Sequence, residues 1–579
     1  MMLYVPHPAG GVSSSKNIKG FALQVLTGRW FMMFASFMIM SVSGASYMFS
    51  LYSIEIKSSL GYDQSTLNLL SFFKDLGSNA GILSGLINEV TPPWVVLSIG
   101  AVCNFFGYFT IWLSVTKKFA KPHLWNMCLY IFIGGNSHCS TNTGVWVTSI
   151  KNFPGIRGVV IGILDGYLCL SAIIITQLCY AFFQNDSKSV ILIMAWLPTA
   201  TALIFLPVFR NGRRCVQQKK DSNAFYMFIY STLALAVFFM MIIILQKCFK
   251  FTRSEYYVTT ALMLLLLILP IAVVIAEEHK IWKSKQEHIN YENPPMKSEQ
   301  VPQKGVSCWQ NIFRPPERGE DHTILQAIFS LDMVILFLAT ICGFGSNLTV
   351  VNNFSQIAKS LGYPAHTITT FISLMAIWIF LGKIAQGVVS EFMITKFKAP
   401  RPLVLTILLV LSCIGHLLIA FNVPNGLYVA SIVVGFCFGA NWPILQTIVS
   451  ELFGLKHYST LANIGSMASP IGSYMLSVRV AGYLYDREAR KQMAELGLKR
   501  KVGEELNCNG GECYKLAFII ITAVCMLGAL ASFILVLRTR QFYKTDIYKK
   551  FTEEARTDAE TEMVVSLNKI GLPPTSDEG

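Results

Sequence analysis

I-K-S-S-L-G-Y-D-Q-S-T, at Ile56–Thr66, recurs in this chain as I-A-K-S-L-G-Y-P-A-H-T, at Ile357–Thr367. At a constant offset the copies share S-L-G-Y and several flanking residues, and further on Gly81 matches Gly382. In each copy the polar S-L-G-Y loop joins one long apolar run to the next. Chance similarity between apolar segments does not explain a match in a polar loop. The repeat therefore predicts a membrane protein built from two equivalent halves.

The composition indicates that most of the chain lies in a lipid bilayer. Of the 579 residues, 53% are hydrophobic and 14% are charged, and the mean hydropathy is +0.50. A soluble protein carries about 25% charged residues. The net charge of +14 does not indicate nucleic-acid binding, because the basic residues fall mostly between apolar runs. The positive-inside rule accounts for that placement.

Fourteen segments are apolar and long enough to cross the bilayer, since a spanning helix needs about 20 mostly apolar residues. The repeat pairs the first two of them with the ninth and tenth. The predicted fold is an all-α polytopic membrane protein with two six-helix halves and a central two-helix hairpin. The spans are predicted at 30–52, 65–87, 94–115, 123–149, 157–183, 189–209, 223–246, 254–276, 327–351, 366–390, 402–421, 426–449, 459–484 and 514–538.

The polar segments complete the predicted organisation. We expect an N-terminal tail, a six-helix half, a basic loop with two extra helices, a disordered Pro-rich linker, a second six-helix half and a C-terminal tail. The second half contains an outer-side loop at 485–513. The bounds of the six parts are 1–29, 30–209, 210–276, 277–322, 323–538 and 539–579.

The placement of Lys and Arg orients these spans. An even number of spans puts both termini on one side, and a cytoplasmic assignment places the basic stretches at 210–220, 396–401 and 538–550 inside. The loop at 485–513 also carries bases, mixed with acids. We expect both termini and the linker to be cytoplasmic. The sequence does not distinguish the plasma membrane from an endomembrane such as the vacuole or the endoplasmic reticulum.

Cysteine spacing and the search for catalytic motifs limit the chemistry that this sequence predicts. Cys508 and Cys513 flank Gly510-Gly511 in the outer-side loop, where they can close a small disulfide or remain two free thiols. No C-x-x-C or Cys/His zinc spacing occurs. No H-E-x-x-H, G-x-S-x-G or P-loop pattern stands in a suitable context. We therefore predict no metal, no cofactor and no enzymatic activity.

Several sequence motifs resemble those of one family of membrane proteins. Over nearly all of residues 29–545 the chain resembles the major facilitator superfamily, and within it the plant nodulin-like, or nuclear-fusion-defective-like, branch. That branch is similar to oxalate/formate and monocarboxylate-type carriers, which implies a small organic solute. The motifs that carry the resemblance are F-F-K-D-L-G-S-N-A-G (Phe72–Gly81), L-I-N-E-V-T-P-P-W-V-V-L (Leu86–Leu97), N-F-P-G-I-R-G-V-V-I-G-I-L (Asn152–Leu164), A-G-Y-L-Y-D (Ala481–Asp486) and C-N-G-G-E-C (Cys508–Cys513).

The resemblance also implies a conformational-switch loop. The superfamily signature after the second helix, G-x-L-x-D-R-x-G-R-R, survives here only as Gly85 and Glu89, whereas the second half keeps Gly387 and Glu391 with nearby bases. Conformational control through this loop is therefore expected to depend on the second half. A further departure is Asp165, which stands after the I-L of the fifth helix where the branch usually has a lysine.

Lys74 and Asp75 lie nearest the centre of their predicted span. An ionisable side chain inside a span costs about 2.5–3.5 kcal/mol on insertion scales, so each needs a reason. Adjacent helical residues point about 100° apart, and we expect that these two do not neutralise each other on one face. Asp75 instead shares a face with Asn79. Two interpretations stay open: a substrate and proton site, or a structural pair with other helices.

Three further charges lie within predicted spans. Asp165 can pair with Lys74, or it can help to position the adjacent loop with Arg157. Lys383 and Arg479 lie on helices where, by the resemblance to oxalate/formate-type carriers, basic residues hold a carboxylate. Arg479 is near the outer end of its span and can instead extend to the interface.

The first and fourth helices of each half are expected to line the central cavity of such a fold. An unperturbed histidine titrates near neutral pH, but a lone histidine among small residues more often bonds across helices. The remaining polar candidates are Asn136, His138, Asn142, Asn347, Asn441 and Gln446.

These features together predict a secondary active transporter that moves a small organic solute by alternating access. We expect a monomeric transport unit, with the proton as a candidate coupling ion. Lys74, Lys383 and Arg479 favour an anionic metabolite. The alternative is a non-transporting receptor or scaffold that retains the fold, and its sign would be a cavity without convergent polar groups.

Overall fold

The computed structural model of this chain is helical throughout the part that it describes, and no β-strand occurs there. The predicted all-α membrane fold is thereby confirmed. The described residues are 12–62, 64–119, 122–183, 187–211, 221–249, 251–288, 316–495, 508–545 and 547.

The helices of the first half and of the central hairpin lie where the spans were predicted, but several of the predicted spans are divided between two helices. A 3-10 turn, Ala45–Met48, lies between the second and third helices. In chain order they are α1 (Val12–Thr27), α2 (Arg29–Met40), α3 (Phe49–Leu60), α4 (Gln64–Asn79), α5 (Ile82–Val90), α6 (Pro93–Val115), α7 (Leu124–Asn152), α8 (Arg157–Phe183), α9 (Ser187–Asn211), α10 (Asp221–Cys248), α11 (Arg253–Ile268) and α12 (Pro270–His288).

The second half has the same kind of helices. A π-helical segment, Tyr474–Gly482, follows Ser473 and leads directly into the polar helix that begins at Tyr483. In chain order they are α13 (Ile324–Ile328), α14 (Leu331–Ser360), α15 (Ala365–Phe397), α16 (Arg401–Ala420), α17 (Gly426–Leu452), α18 (Tyr458–Ser466), α19 (Ala468–Ser473), α20 (Tyr483–Glu495) and α21 (Glu512–Lys544).

Four of the fourteen predicted spans are not continuous apolar helices. Within the described ranges, 10 helices are long and apolar enough to cross a membrane, and the bent pair Ile18–Thr27 and Arg29–Met40 would make 11. The first span breaks between α2 and α3, the second between α4 and α5, and the thirteenth after α18 and after α19. The fourth span, α7, is unbroken but polar. The breaks and polar faces lie next to the boundary between the halves, described below.

The repeated loop has the same backbone conformation in both copies. Gly61 and Gly362 have φ of 64° and 80°, the left-handed region that glycine enters without steric cost. Each lies just after a helix, and the next amide reaches back five residues: Tyr62 N–H donates to Lys57 O (3.2 Å) and Tyr363 N–H donates to Ala358 O (3.1 Å). This is the hydrogen bond of a glycine helix stop. The S-L-G-Y match is therefore a matching helix end.

The packing of the two halves follows the same pattern. In the first half α7 packs on α4 and α6, and α6 packs on α9. In the second half α17 packs on α15 and α16, and α16 packs on α21. The contacts between the halves also form a pair, since α8 packs on α15 and α5 packs on α18. The two contacts are equivalent to each other under the repeat, because in each of them the fifth span of one half packs on the second span of the other.

The predicted disordered linker at 277–322 was wrong at both ends. The helix α12 continues to His288, because its polar part packs on α1: Gln24 Nε2 donates to Glu278 O at 3.3 Å, and Phe21 lies edge-on to Trp282. Residues 316–322 are hydrogen-bonded to the end of α17. The middle, residues 289–315, lies outside the described residues.

Helices also extend into the predicted tails and the outer loop. The N-terminal tail contains α1, and the C-terminal tail begins inside α21, which continues to Lys544. The outer-side loop at 485–513 begins as α20, because the thirteenth span continues as a polar helix. Residues 496–507 of this loop are outside the described part. The second S-L-G-Y loop lies at the same end of the molecule, since Gly510 N–H donates to Ser360 O at 2.8 Å.

Candidate functional site

The candidate site lies where α8 of the first half packs against α15 of the second. Glycines bring the two backbones together. A Cβ added to Gly162 would lie 2.9 Å from the carbonyl oxygen of Lys383, and one added to Gly387 would lie 2.8 Å from that of Gly158. Small residues at such a contact are what close helix packing in a membrane requires. The glycine spacing of α8 is visible in the sequence, but its partner helix is not.

Two opposite charges from different halves are buried at this contact. Lys383 is 4% exposed and Asp165 is 2% exposed. The two lie within electrostatic range of each other, but they form no direct ion pair. Asp165 Oδ1 has no hydrogen-bond partner in the described part of the chain. Buried polar groups without partners are costly. This boundary is therefore a place where a polar solute can find partners.

Asp165 does not pair with Lys74, which was one of the two alternatives left open for it. Lys74 is engaged on α4, whereas the cation facing Asp165 is Lys383 from the other half. The packing of α8 against α15 of the other half brings Lys383 toward Asp165.

The first span breaks beside this pair of charges. The break places Tyr47 in the turn Ala45–Met48, where the side chain is 53% exposed. Its ring stands edge-on to His138 at 5.8 Å between ring centroids, and its hydroxyl lies within electrostatic range of Lys383. Tyr47 therefore adds an aromatic wall and a hydroxyl to the site.

His138 is held by two hydrogen bonds that select one tautomer. Asn142 Nδ2 can only donate, so the contact of 3.1 Å makes His138 Nε2 the acceptor. Ser43 O can only accept, so Nδ1 carries the proton in the contact of 3.3 Å. The imidazole therefore bonds across helices, which was one of the two interpretations. It also lines a small polar cavity within the first half, together with Ser43, Asn104, Ser137 and Thr141.

Asn136 and Asn79 support the broken second span. Asn136 Nδ2 donates to Ala80 O at 2.8 Å, next to the gap between α4 and α5. Asn79 Nδ2 donates to the backbone oxygen of Asp75 at 2.8 Å. Carbonyl groups near a helix break need such donors. These two amides are occupied by the backbone and do not face the site.

Lys74 and Asp75 do form an ion pair with each other, which corrects the expectation that they would not. Lys74 Nζ lies 2.8 Å from Asp75 Oδ1, and it also lies 5.3 Å from the centre of the Phe49 ring. The long lysine stem spans the 100° between adjacent residues. The Asp75 side chain is 50% exposed, whereas that of Lys74 is 14% exposed.

The polar candidates of the second half divide into occupied and unoccupied groups. Gln446 is satisfied, because Nε2 donates to Ser466 Oγ at 3.0 Å and Oε1 accepts from Tyr458 at 3.2 Å. Asn347 Nδ2 donates to Ser412 Oγ at 3.0 Å. Asn441 differs: it is fully buried on α17, and neither atom of its amide has a partner among the described residues.

Arg479 lies apart from these groups. It is an exposed residue of the π-helical segment Tyr474–Gly482, toward the end of the molecule that holds the loop at 485–513. This exposure matches the alternative in which the side chain extends to the interface. The structure therefore brings Lys383 and Asp165 together and leaves Arg479 outside.

Glu89 of α5, one of the predicted first-half switch residues, forms a clasp between the halves, which we define as Glu89 with His457 and Thr460. Glu89 Oε2 lies 2.7 Å from His457 Nδ1, and Thr460 Oγ1 donates to Glu89 Oε1. Nearby, Gly85 O accepts from Ser459 Oγ at 3.1 Å. The clasp closes the end of the molecule opposite the S-L-G-Y loops. His457 and Thr460 were missed, since each sits in a segment without a charged motif.

Glu391, one of the predicted second-half switch residues, contacts a buried arginine that was not among the candidates. Arg401 is fully buried and donates to Glu391 Oε2 (2.8 Å), Glu451 Oε1 (2.7 Å) and Ser390 Oγ (2.5 Å). Glu451 also accepts from Tyr543 at 2.9 Å. The guanidinium packs against the start of α8 at Gly158. The signal for Arg401 was its position directly before an apolar span.

The loop cysteines are joined in the structure, where Cys508 and Cys513 form a disulfide with a Cα–Cα distance of 5.9 Å. Cys508 N–H also donates to Tyr485 OH at 3.1 Å, which ties the disulfide to α20. In the ranges given above, no cluster of three or more His, Cys, Asp or Glu side chains is placed to hold a metal ion.

Comparisons with known proteins agree with this architecture. Residues 29–275 match the family described as Nodulin-like, and residues 323–545 match the one described as NFD4, C-terminal domain. Protein NUCLEAR FUSION DEFECTIVE 4 of Arabidopsis thaliana is 24% identical over 542 residues, which cover 90% of this chain and 91% of that protein. The probable transporter MCH1 of Yarrowia lipolytica is 25% identical over 229 residues, 37% of this chain and 44% of that one.

Among solved structures, the fold is similar to that of a transporter. The major facilitator superfamily proton:xylose symporter XylE, bound to 6-bromo-6-deoxy-D-glucose, aligns with a TM-score of 0.51 at 12% identity. The alignment covers 88% of this chain and 95% of that one. At this identity the likeness concerns the fold, which is that of the major facilitator superfamily.

Proposed function

The chain belongs to the nodulin-like branch of the major facilitator superfamily, and from this premise we propose that it transports a small organic anion. It is a membrane transporter by its family and fold. The proposal concerns the solute, the site and the mechanism. The observation that supports it best is the buried lysine at the boundary between the halves, Lys383, which faces Asp165 without a direct ion pair.

The position of Lys383 suits alternating access. A site between two halves is exposed to one side or the other when the halves rock. Lys383 belongs to the second half, whereas Asp165 and Tyr47 belong to the first, so a solute bound here touches both. The clasp at Glu89 closes one end in this structure. Opening that end would separate α5 from α18 and α8 from α15, and would expose the solute to the cytoplasm in the orientation that we propose.

The charges favour an anion with a carboxylate. A lysine ammonium in a low-dielectric interior is stabilised by an opposite charge. In the absence of solute, Asp165 is the neighbouring acid. A solute carboxylate would replace it as the partner of Lys383, while Tyr47 OH offers a hydrogen bond. Asp165, once displaced, is the natural acceptor for a co-transported proton, and this proton is the coupling ion that we propose.

Uptake into proteoliposomes tests the proposal. The purified protein is screened with monocarboxylates, dicarboxylates, amino acids and sugars, with and without an imposed pH gradient. We expect uptake of a carboxylate, at least tenfold weaker in Lys383→Met because one charged contact is lost. The matched control is Lys396→Met, which removes an exposed lysine at the end of the same helix. Equal uptake by the two variants would refute Lys383 as the anion site.

The same assay addresses proton coupling and the alternative function. Asp165→Asn should keep binding of the carboxylate but lose the response to the pH gradient. A response that persists in Asp165→Asn would assign the proton to another group. A protein that is folded and binds a solute, yet moves none in either direction, would favour the receptor alternative.

A further inference from the structure

A short segment at the entry to the second half is bonded to the loop that carries the clasp. We call residues 316–323 the strap and residues 452–456 the corner. The strap follows residues 289–315 and precedes α13, and the corner joins α17 to α18. His457 directly follows the corner. The strap therefore contacts the loop that positions the second-half side of the clasp.

The hydrogen bonds between the strap and the corner satisfy backbone carbonyl groups at the end of α17. Gly319 N–H donates to Leu452 O at 3.0 Å, and His322 N–H donates to Phe453 O at 3.1 Å. These carbonyls end α17, where the last turn of a helix lacks intrahelical partners. Asp321 Oδ1 accepts from both Leu455 N–H and Lys456 N–H at 3.0 Å. One carboxylate oxygen thus fixes two consecutive amides just before α18.

The corner combines two buried apolar side chains, Leu452 and Phe453, with a sharp turn. Gly454 has φ of 79°, so the chain turns there in the left-handed region, and it packs directly against Asp321. The His322 ring stands edge-on to Phe453 at 5.3 Å. The direction in which the chain leaves this turn is fixed only while the backbone amides of the corner are hydrogen-bonded. The direction matters because His457 must reach Glu89 across the boundary between the halves.

We propose that Asp321 is a positioning residue of the transport cycle, which holds the corner so that His457 and Thr460 can receive Glu89. Asp321 touches neither the solute site nor Glu89. It acts through the corner, and its loss releases the end of the molecule that the clasp closes. The inference rests on the proposed alternating access. It is tested without a solute, so its failure is separate from failure of the proposed anion site.

The test measures the distance between the halves at the clasp end. Spin labels are attached through p-acetylphenylalanine, which leaves the native cysteines unchanged, at Val90 of α5 and Lys396 of α15, both exposed. The full-length protein is reconstituted in nanodiscs, and pulsed EPR gives the ratio of long to short distances. In Asp321→Ala we expect this ratio to rise about tenfold, because two hydrogen bonds that order the corner are lost.

Two further variants separate positioning from general stability. Asp321→Asn keeps an oxygen that accepts from both amides, so it should restore the wild-type ratio. Glu317→Ala, which removes another strap carboxylate, should leave the ratio unchanged. In a Glu89→Ala background, Asp321→Ala should have no added effect, since the clasp is already absent.

Three results would overturn the inference. The first is a ratio of long to short distances that stays at the wild-type value in Asp321→Ala, although the separate variant Glu89→Ala raises it. The second is the same large effect in Asp321→Asn as in Asp321→Ala, which would exclude the hydrogen bonds as the cause. The third is full additivity of Asp321→Ala and Glu89→Ala, which would show that the two act independently. A variant that does not yield a monodisperse protein is replaced by Asp321→Ser, whose shorter side chain also withdraws the acceptor.

Discussion

Arg401 offers the sharpest test of how this structure is stabilised. Its guanidinium is fully buried and bonds the carboxylates of Glu391 and Glu451. Replacing it with methionine keeps most of the volume but removes the charge and all the donors. Both carboxylates then lose the cation that the fold places between them. The perturbation is therefore electrostatic and not a cavity.

The magnitude follows from the burial of the two carboxylates. Breaking a buried ion pair by removing one partner costs about 3–5 kcal/mol, because the other charge is left in the interior. Glu451 is 0% exposed and Glu391 is 13% exposed, so most of the cost falls on Glu451. Tyr543 still donates to Glu451, which reduces the cost. We expect Arg401→Met to lower the free energy of unfolding by about 3 kcal/mol.

Unfolding in mixed micelles measures this loss, with Lys396→Met as the control for removing an exposed cation. The double variant Arg401→Met with Glu451→Gln should recover about half of the lost stability, since it no longer leaves the fully buried Glu451 carboxylate without the Arg401 cation. An Arg401→Met variant as stable as the control would show that the buried ion pairs contribute no stability. A double variant less stable than Arg401→Met would contradict the electrostatic origin of the loss.

Three further predictions concern the charged pair of α4, the disulfide and the topology. The combined change Lys74→Met and Asp75→Asn should lower stability by at most about 1 kcal/mol, as for a partly exposed pair, and should keep at least half of the wild-type uptake; an inactive, well-folded double variant would place the pair in the transport mechanism. Cys508 and Cys513 should resist alkylation until a reductant is added, and full labelling without reductant would show free thiols. A membrane-impermeant reductant should reach that disulfide only from the side opposite to an epitope tag at residue 300, and access to both from one side would refute the topology.

Much of the fold was determined by the sequence alone. Apolar runs of about 20 residues predict spanning helices because the bilayer sets their length. The S-L-G-Y repeat predicts two halves because the same polar loop recurs between apolar runs, and the structure shows Gly61 and Gly362 in the same left-handed conformation. These features are local, so a single sequence contains them. The interruptions of the first, second and thirteenth spans were not predicted, because composition does not show where a helix bends.

The site was predictable residue by residue but not as an arrangement. Lys383 and Asp165 stood out as charges inside spans, since each needs a reason to be there. The sequence could not show that they face each other, because helical periodicity gives the face of one helix but not the rotation of its neighbour. It left Lys74 and the loop near Arg157 as alternative partners of Asp165. It also separated Lys74 from Asp75, although the flexible lysine stem joins them at 2.8 Å.

The contacts that close one end of the molecule were decided only by the tertiary structure. Glu89 was chosen from a family signature, but its partner His457 lies far away in the chain and carries no motif. Arg401 looked like one of several loop bases until the fold buried it between Glu391 and Glu451. The sequence determined which groups must be buried or paired, because the bilayer penalises the alternative. Which group pairs with which depended on how α5 packs on α18 and α8 on α15, and that follows from the shapes of both surfaces together.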